Sequence, residues 1–290
     1  MSRTFGSVCY DGAARLTRSL PHVRGKWQVV EYLHRALLPL RGAGDDLRTV
    51  RMKDGSLMTW SLRDAAERRA VWLGMWDDHL RDAVFARLAP DAVVLDIGAS
   101  VGAWTVPMAR RLRAAGRVFA FEPVPANRAR LEQSVAANAL DNVAVGAFAL
   151  GDATRQVDMW LRSSQTGANS GTAAVVATGT GHLTVSMRTL DDWAAEQELP
   201  RLDFIKLDVE GAEFFVLAGA ERVLARFRPL ILGEFDAYWI STHGRTAADV
   251  TKWAATHNYR LLAWDRHRRV FVPSNAPGDE ETLLVPAERT

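Results

Sequence analysis

The feature that most constrains the fold is a regular alternation, after Pro90, of short apolar segments with longer segments whose apolar residues have helical spacing. Because a tight turn cannot join parallel strands, this alternation predicts parallel strands connected by crossover helices. The strands are apolar on both faces, as in a sheet that helices cover on both sides. We therefore predict an α/β fold with a doubly wound, mostly parallel sheet. The predicted strands are AVVLDIG, RVFAFEP, NVAVGAFAL, LDFIKLDVEG, PLILGEF and YRLLAW.

The residues before this alternation, 1–89, are predicted to form an N-terminal helical and hairpin extension. Residues 1–24 carry no strong pattern and are expected to be partly ordered at best. Residues 26–40 have helical spacing, and a hairpin is expected around the dipeptide Asp54-Gly55. The extension could cap a pocket or mediate dimerisation, and the pattern does not choose between these roles.

The main domain is predicted at residues 90–290, with a β-rich insertion at about 153–200. The insertion has the pattern of short strands separated by loops rich in Gly, Ser and Thr. It is too long for an ordinary connector, and insertions of this length often build binding loops or lids.

The charge balance argues against nucleic acid as a partner, because the formal net charge is only +2 at pH 7. The N-terminal segment has no apolar stretch of the signal-peptide kind, and no apolar run approaches the roughly 20 residues that span a bilayer. The single cysteine, Cys9, cannot form an internal disulfide, which fits a reducing compartment. We therefore expect a cytoplasmic protein with no nucleic-acid and no membrane partner.

A glycine turn follows the first predicted strand, at the kind of junction where ligands bind in open α/β sheets. The stretch DIGASVG contains Gly98 and Gly102 but lacks the third glycine of the GxGxxG fingerprint, which disfavours a nicotinamide dinucleotide. Asp96 stands two residues before the first glycine. A negative side chain at this position suits an ammonium or hydroxyl group better than a pyrophosphate.

Two further acids follow the next two predicted strands: Glu122 ends FAFEP, and Asp152 ends ALGD. S-adenosylmethionine fits this set of acids. Asp96 could hold its ammonium group, Glu122 could accept hydrogen bonds from both ribose hydroxyls, and Asp152 could accept one from the adenine amino group. Each acid taken alone could instead cap a helix or pair with an arginine.

Several motifs together resemble the FkbM-type methyltransferases, over the region from about Arg51 to Trp264. These motifs are VVLDIGASVGAWT, FAFEPVPAN, ALGD, TLDDW and, most specific of all, DFIKLDVEGAE. The resemblance implies a class I, Rossmann-like methyltransferase domain that binds S-adenosylmethionine. Many members of the family O-methylate natural products or glycans.

The family's cofactor roles, carried over to this chain, imply that the glycine turn lines the methionyl end of the cofactor. The implied cofactor-binding residues are Asp96, Gly98, Ala99, Ser100, Gly102, Glu122 and Asp152. The chain departs from the family at Ser100, where Asn is frequent, and at Pro107, which falls early in the following helix. Neither departure argues against cofactor binding.

Methyl transfer to a hydroxyl requires an aligned acceptor oxygen and a group that removes its proton. Asp208 in KLDVEGAE is the first candidate for a catalytic carboxylate, although it could instead cap a helix or pair with Lys206. Glu234, which ends the fifth predicted strand beside it, is a further candidate for a catalytic carboxylate. His243, just past that strand, is a candidate general base, and His182 in the insertion is a weaker one.

The carboxylates of Asp208, Glu234 and Asp236 could also form a Mg²⁺ site that acidifies the acceptor hydroxyl. This hypothesis rests on analogy with other small-molecule O-methyltransferases, so a metal-independent reaction is favoured. Each of these carboxylates could instead act without a metal ion.

The sequence thus favours an S-adenosylmethionine-dependent O-methyltransferase that acts on a hydroxyl of a specialised metabolite, such as a polyketide, macrolide or sugar moiety. Its expected partner is a small-molecule acceptor, and a homodimer is possible. Trp160, Tyr238 and Trp239 could form an apolar wall for that acceptor. Two alternatives stay open: an N-methyltransferase of a small-molecule amine, and a non-catalytic scaffold or binding protein on the same fold.

Overall fold

The computed structural model describes residues 5–21, 25–40, 46–112, 116–161, 173–174, 181–278 and 281–289. The chain divides into two compact units, the first ending at Trp76 and the second beginning at Asp77. Each unit is described by itself. No helix among the described residues is both long enough and apolar enough to cross a membrane.

The first unit combines helices with a two-stranded hairpin. Its elements are α1 (Phe5–Ser19), α2 (Lys26–Leu37), a 3-10 turn (Leu38–Leu40), β1 (Leu47–Arg51), β2 (Leu57–Ser61) and α3 (Ala65–Leu73). Strands β1 and β2 pair antiparallel, which confirms the predicted hairpin. Gly55 in its turn has a φ of 83°, a conformation that glycine adopts without a steric penalty.

Helix α1 corrects the expectation of a poorly ordered N-terminal segment for residues 5–21, while residues 1–4 and 22–24 lie outside the described ranges. The weak sequence pattern of α1 has a physical reason. The residues on its buried face are Ser7, Tyr10, Ala14 and Thr17. This face lacks the run of large apolar side chains that identifies a helix in a sequence. The Tyr10 hydroxyl instead hydrogen-bonds to His34 Nδ1 at 2.6 Å and accepts a hydrogen bond from Trp72 Nε1 at 2.8 Å. Polar contacts therefore hold α1 against α2 and α3.

The second unit contains a central sheet, a smaller sheet and the helices around them. Its helices are α4 (Asp78–Phe85), α5 (Thr105–Leu112), α6 (Pro125–Ala137), α7 (Leu190–Glu196), α8 (Glu213–Ala218), α9 (Glu221–Phe227), α10 (Ala237–Ser241) and α11 (Ala247–Thr256). Its strands are β3 (Val93–Ile97), β4 (Arg117–Phe121), β5 (Val143–Gly146), β6 (Ala149–Leu150), β7 (Arg155–Leu161), β8 (Ala173–Ala174), β9 (Gly181–Arg188), β10 (Phe204–Leu207), β11 (Leu230–Glu234), β12 (Tyr259–Asp265), β13 (Val270–Ser274) and β14 (Glu281–Pro286).

The central sheet has eight strands in the order β13-β12-β14-β11-β10-β3-β4-β5. The pairs from β11 to β5 are all parallel, which confirms the predicted α/β fold with a doubly wound, mostly parallel sheet. Strand β14 is antiparallel to both β11 and β12, and β13 is antiparallel to β12. The sequence did not predict β13 or β14, because the strand–helix alternation ends at β12 and these strands follow without helices between them.

Strand β3 shows how the sheet is covered on both faces, since successive side chains of a strand point to opposite sides. Leu95 packs in a cluster with Trp193 of α7 and Val216 of α8. Its neighbour Val94 packs with Met108 of α5 in a second cluster on the other side. The continuous apolar strands of the sequence are therefore explained by burial on both faces.

The smaller sheet has the order β6-β9-β7-β8 and includes the short strands predicted in the insertion. The predicted strand NVAVGAFAL divides into β5 and β6, which belong to different sheets. One helix was expected after KLDVEG, but the chain forms α8 and α9 with Gly219 between them. A Cβ at Gly219 would lie 1.9 Å from the carbonyl oxygen of Gly151, so this position packs directly against the backbone of another segment.

The strand order reverses between β3 and β10, the point at which open α/β sheets bind ligands. From β3 the chain moves outward to β4 and β5, and it returns to form β10 on the other side of β3. The loops that follow β3 and β10 consequently meet. A Cβ at Gly98, whose φ is 82°, would lie 1.9 Å from the backbone oxygen of Asp208. Only glycine fits here, because the backbone is left-handed and there is no space for a Cβ atom.

We predict that Gly98→Ala lowers the free energy of unfolding by about 3 kcal/mol or more, since it adds a steric clash to the cost of a left-handed residue. Gly244→Ala is the matched control, because Gly244 has a φ of 68° and nothing within 4 Å of its Cβ position. It should cost only about 1 to 2 kcal/mol. Urea unfolding of both variants checks this, and equal losses would show that the contact with Asp208 is not tight.

Candidate active site

The glycine turn after β3 is anchored to the end of the neighbouring strand β4. The backbone N–H groups of Gly98 and Ala99 both donate to the carbonyl oxygen of Phe121, at 3.1 and 3.0 Å. Ser100 has a φ of 48°, which is unusual for a residue other than glycine. Asn accepts such a φ more readily than serine, so Ser100 carries some backbone strain. Gly102, with a φ of 91°, then leads the chain into α5.

Asp96 lies on β3 directly before this turn and is 2% exposed. Its Oδ2 atom accepts a hydrogen bond from the Thr105 hydroxyl, at the start of α5, at 2.5 Å. Burial raises the pKa of the Asp96 carboxyl to about 6, against the opposing effects of the Thr105 hydrogen bond and the Lys206 charge. A buried acid is thus held at the base of the glycine turn.

Glu122 follows β4 and is bonded directly to the same turn. Its Oε2 atom accepts a hydrogen bond from the Ser100 N–H at 2.8 Å, and its Oε1 atom accepts one from the Val124 N–H at 2.8 Å. Glu122 is 4% exposed, and burial raises its pKa to about 7. The structure therefore brings Asp96, the glycine turn and Glu122 into one continuous site.

Asp152 occupies a different setting from the other two acids. It follows β6, which belongs to the smaller sheet, rather than the third strand of the central sheet, which ends at Gly146. Its exposed carboxylate pairs with Arg155 at 3.2 Å. Asp152 therefore follows a strand of the smaller sheet, unlike Asp96 and Glu122, and its expected role toward adenine stays a prediction.

Asp208 follows β10, and its Oδ2 atom accepts a hydrogen bond from Lys206 Nζ at 3.2 Å. Lys206 is 1% exposed and is the register partner of Asp96 on the adjacent strand. Its ammonium group also lies 5.6 Å from the ring centre of Trp104, at the end of the glycine turn. The ion-pair alternative considered for Asp208 is thus present in the structure, and Lys206 is paired in register with Asp96 while it donates a hydrogen bond to Asp208.

Further carboxylates surround Lys206. Glu234 ends β11 and is the register partner of Glu281 on β14, while Asp77 precedes α4. Burial raises the pKa of all three carboxyls, and the charge of Lys206 lowers it. Asp77 and Glu234 are nevertheless solvent-exposed. These carboxyls are therefore reached by water and also partly desolvated by the protein around them.

The Lys206 ammonium remains protonated in this setting. Burial lowers its pKa, but the charges of Asp208, Glu281 and Glu234 raise it by more, so the net shift is upward. Sequence reasoning did not identify Lys206 as functional, although a signal was present. A lysine within the apolar strand FIKL is unusual, because lysine is rarely buried without a partner.

Glu213 and His243 approach the loop that follows β10. Glu213 Oε1 accepts the N–H groups of Val209 and Gly211 at 3.3 and 3.2 Å, and burial raises the pKa of Glu213 to about 7. A Cβ at Gly211 would lie 3.4 Å from His243 Cδ2, and burial lowers the pKa of His243. Within the described ranges, Glu213 Oε2 and His243 Nε2 are buried without a hydrogen-bond partner. Two polar atoms are thus left to accept or donate a bond beside Asp208.

Asp236 and His182 have structural partners elsewhere. Asp236 Oδ1 accepts the N–H groups of Tyr238 and Trp239 at 2.9 and 3.1 Å and so caps α10. His182 pairs with Asp158 at 2.9 Å in the smaller sheet. In the part of the chain that the structure covers, no group of three or more His, Cys, Asp or Glu side chains is arranged to hold a metal ion.

The parallel sheet, the glycine turn and the buried acids after the first two strands together form the arrangement of a class I methyltransferase. The model of the methyltransferase FkbM domain matches residues 96–261, which is more than half of the chain. The chain therefore belongs to the FkbM methyltransferase family, as its motifs predicted.

Two curated relatives are similar to the chain. The 2-O-methyltransferase NoeI of Sinorhizobium fredii is 31% identical in an alignment of 155 residues that covers 48% of this chain and 61% of that protein. The AMB antimetabolite synthetase AmbE of Pseudomonas aeruginosa is 30% identical in an alignment of 206 residues that covers 58% of this chain and 10% of that protein. The chain thus covers less than two thirds of the length of either relative.

The solved structure of an FkbM methyltransferase from Methylobacillus flagellatus is also similar. It is 20% identical, and the match has a TM-score of 0.46 and covers 68% of this chain and 44% of that chain.

We predict that Asp96→Asn makes the stability of the ligand-free protein less dependent on pH. The pKa of Asp96 is raised from 3.8 to about 6 on folding, so the folded state binds the proton more tightly and loses stability as the pH rises through this window. Between about pH 4 and pH 8, the variant should gain about 2 kcal/mol relative to the wild type.

Urea unfolding at the two pH values measures this gain. Asp141→Asn is the control, because Asp141 is an exposed carboxylate away from the turn. A stability difference between Asp96→Asn and the wild type that is the same at both pH values would mean that the Asp96 carboxyl is not desolvated.

Proposed function

We propose that the chain is an S-adenosylmethionine-dependent methyltransferase that transfers a methyl group to a hydroxyl of a small specialised metabolite or sugar. The observation that carries the proposal is the continuous site formed by Asp96, the glycine turn and Glu122. Carboxylates at such a turn fit a ligand with an ammonium group and a ribose diol, whereas a pyrophosphate would be repelled.

The donor and acceptor groups of the site fit this cofactor. Glu122 accepts one backbone N–H at each oxygen, and each oxygen retains a lone pair for a ribose hydroxyl. Asp96 supplies a negative charge for the ammonium group. When the cofactor binds, the Asp152 carboxylate would release Arg155 and accept a hydrogen bond from the adenine amino group. The bound cofactor would supply an electrophilic methyl carbon on a sulfonium.

The acceptor side of the mechanism rests on Asp208. In the proposed reaction the acceptor oxygen would displace sulfur from the methyl carbon, and the hydroxyl proton would pass to a base on the protein. Asp208, held by Lys206 at 3.2 Å, would orient the hydroxyl and take this proton. His243, whose lowered pKa keeps it neutral at pH 7, would be the alternative base. The name of NoeI, a 2-O-methyltransferase, supports transfer to oxygen.

Transfer to nitrogen is the second candidate, and the carboxylates around Asp208 favour it. Asp77, Glu234 and Glu281 place several negative charges beside the proposed acceptor position, which suits a protonated amine. Glu234, whose pKa is raised, could take the ammonium proton before the amine attacks. A panel that pairs hydroxyl acceptors with the corresponding amines decides between the two reactions.

We predict that the wild-type chain binds S-adenosylmethionine and its demethylated product with micromolar affinity, with or without Mg²⁺. Asp96→Asn should weaken binding by about tenfold or more, because it removes the charge opposite the ammonium group. Asp158→Asn, on the smaller sheet, is the matched control and should bind normally. Titration calorimetry measures all three. A folded wild type without binding would favour the scaffold alternative.

We also predict that Asp208→Asn binds the cofactor as the wild type does but transfers methyl groups about 10²–10⁴-fold more slowly, as loss of a general base requires. Transfer of a labelled methyl group to the acceptor panel provides the measurement, again with Asp158→Asn as control. An unchanged rate in Asp208→Asn would remove Asp208 from the mechanism and leave His243 as the candidate base.

A further inference from the structure

Lys206 interacts with several carboxylates of the site, but its ammonium group donates a hydrogen bond to Asp208 rather than to Asp96. Its register partner on β3 is Asp96, a buried carboxylate that would be the obvious partner for a buried ammonium group. Asp96 is instead hydrogen-bonded to Thr105. The Lys206 ammonium donates to Asp208, whose side chain is 38% exposed. The buried cation is thus directed to the carboxylate that an acceptor can reach.

A buried lysine is costly to maintain, which makes its presence in a core strand informative. Removing an ammonium ion from water costs several kcal/mol, and an apolar side chain would fill the same space without this cost. The residues that flank Lys206 on β10, Ile205 and Leu207, are apolar and buried. Ile205 and Leu207 point to the opposite face of the sheet, so the buried charge belongs to the face that also carries Asp96, the register partner of Lys206.

The surroundings of Lys206 hold its ammonium group in place on more than one side. Trp104 presents its ring 5.6 Å away, a distance at which a cation is attracted to the face of an indole. Glu234 and Glu281 add negative charge on the β11 and β14 side. Trp104 also belongs to the glycine turn, so Lys206 connects this turn to Asp208.

We propose that Lys206 is the residue that positions the Asp208 carboxylate toward the acceptor, a role that rests on the proposed methyl transfer. Lys206 holds Oδ2 of Asp208, and a carboxylate held through one oxygen can use the other to accept the acceptor's proton. Lys206 acts through Asp208 and does not itself touch the acceptor. The sequence block IKLDVEG thus contains both the reacting carboxylate and the residue that orients it.

The test compares Lys206→Met, which keeps the length and removes the charge, with Lys206→Arg, which keeps the charge. We expect Lys206→Met to lower kcat by about 10- to 100-fold, as loss of an orienting partner does. The KM for the acceptor and the Kd for S-adenosylmethionine should change by less than about threefold. Lys206→Arg should recover the rate to within about tenfold of the wild type. Lys252→Met, at an exposed position on α11, is the control.

A double variant separates positioning from a merely structural role. If Lys206 acts through Asp208, Lys206→Met adds little to the rate loss of Asp208→Asn, and the double variant transfers methyl groups as slowly as Asp208→Asn alone. If the two substitutions acted independently, their fold losses in rate would instead multiply. All rates are measured below the unfolding midpoint of each variant, so that loss of folded protein is not counted as loss of activity.

Two results would overturn the inference alone: an unchanged kcat in Lys206→Met, or rate losses that multiply in the double variant. Both results are interpreted only when the wild type transfers methyl groups to at least one acceptor. A wild type that transfers no methyl group to any acceptor would overturn the proposed function itself, and the role of Lys206 with it. The two failures are therefore distinguishable.

Discussion

The close approach of Gly98 to the Asp208 carbonyl is the constraint on which the rest of the site depends. A Cβ at position 98 would lie 1.9 Å from that oxygen, so the backbones after β3 and β10 are in direct contact. This contact exists because the chain leaves β3 in one direction across the sheet and returns to β10 on the other side. It places the turn proposed for the cofactor beside the carboxylate proposed for the acceptor. Proximity of two reactants, the first requirement of group transfer, is thus a consequence of the topology.

Burial of several carboxyl groups at this site destabilises the folded protein. Burial raises the pKa values of Asp96, Glu122 and Glu213 to about 6, 7 and 7, so the protein keeps these acids where their ionised forms are disfavoured. Such shifts concentrate at functional sites, where binding sets the choice of residue more than stability does. Asp96 and Glu122 lie at the ends of β3 and β4, and Glu213, the first residue of α8, is bonded to the loop after β10, which fits this explanation. An acid that served only stability would be expected at the surface, as Asp158 is.

The sequence was sufficient for the parts of the site that depend on one strand and the loop after it. Asp96 and Glu122 were predicted because parallel strands end at the same edge of a sheet. Asp152 was misplaced because β5 and β6 read as one apolar segment, although they belong to different sheets. Glu281 was missed because its position beside Glu234 depends on β14 inserting antiparallel between β11 and β12, a long-range pairing that local pattern does not encode.

The excess of carboxylates over cations has a consequence for any positively charged ligand. Lys206 is one ammonium group, and its charge interacts with those of Asp96, Asp208, Glu234 and Glu281. A cation that binds beside these groups stabilises their ionised forms, and by linkage their ionisation strengthens the binding of the cation. The desolvation that destabilises the ligand-free protein would therefore be relieved when a sulfonium or an ammonium enters. The same charges that destabilise the fold would favour the proposed cationic methyl donor over its neutral-sulfur product.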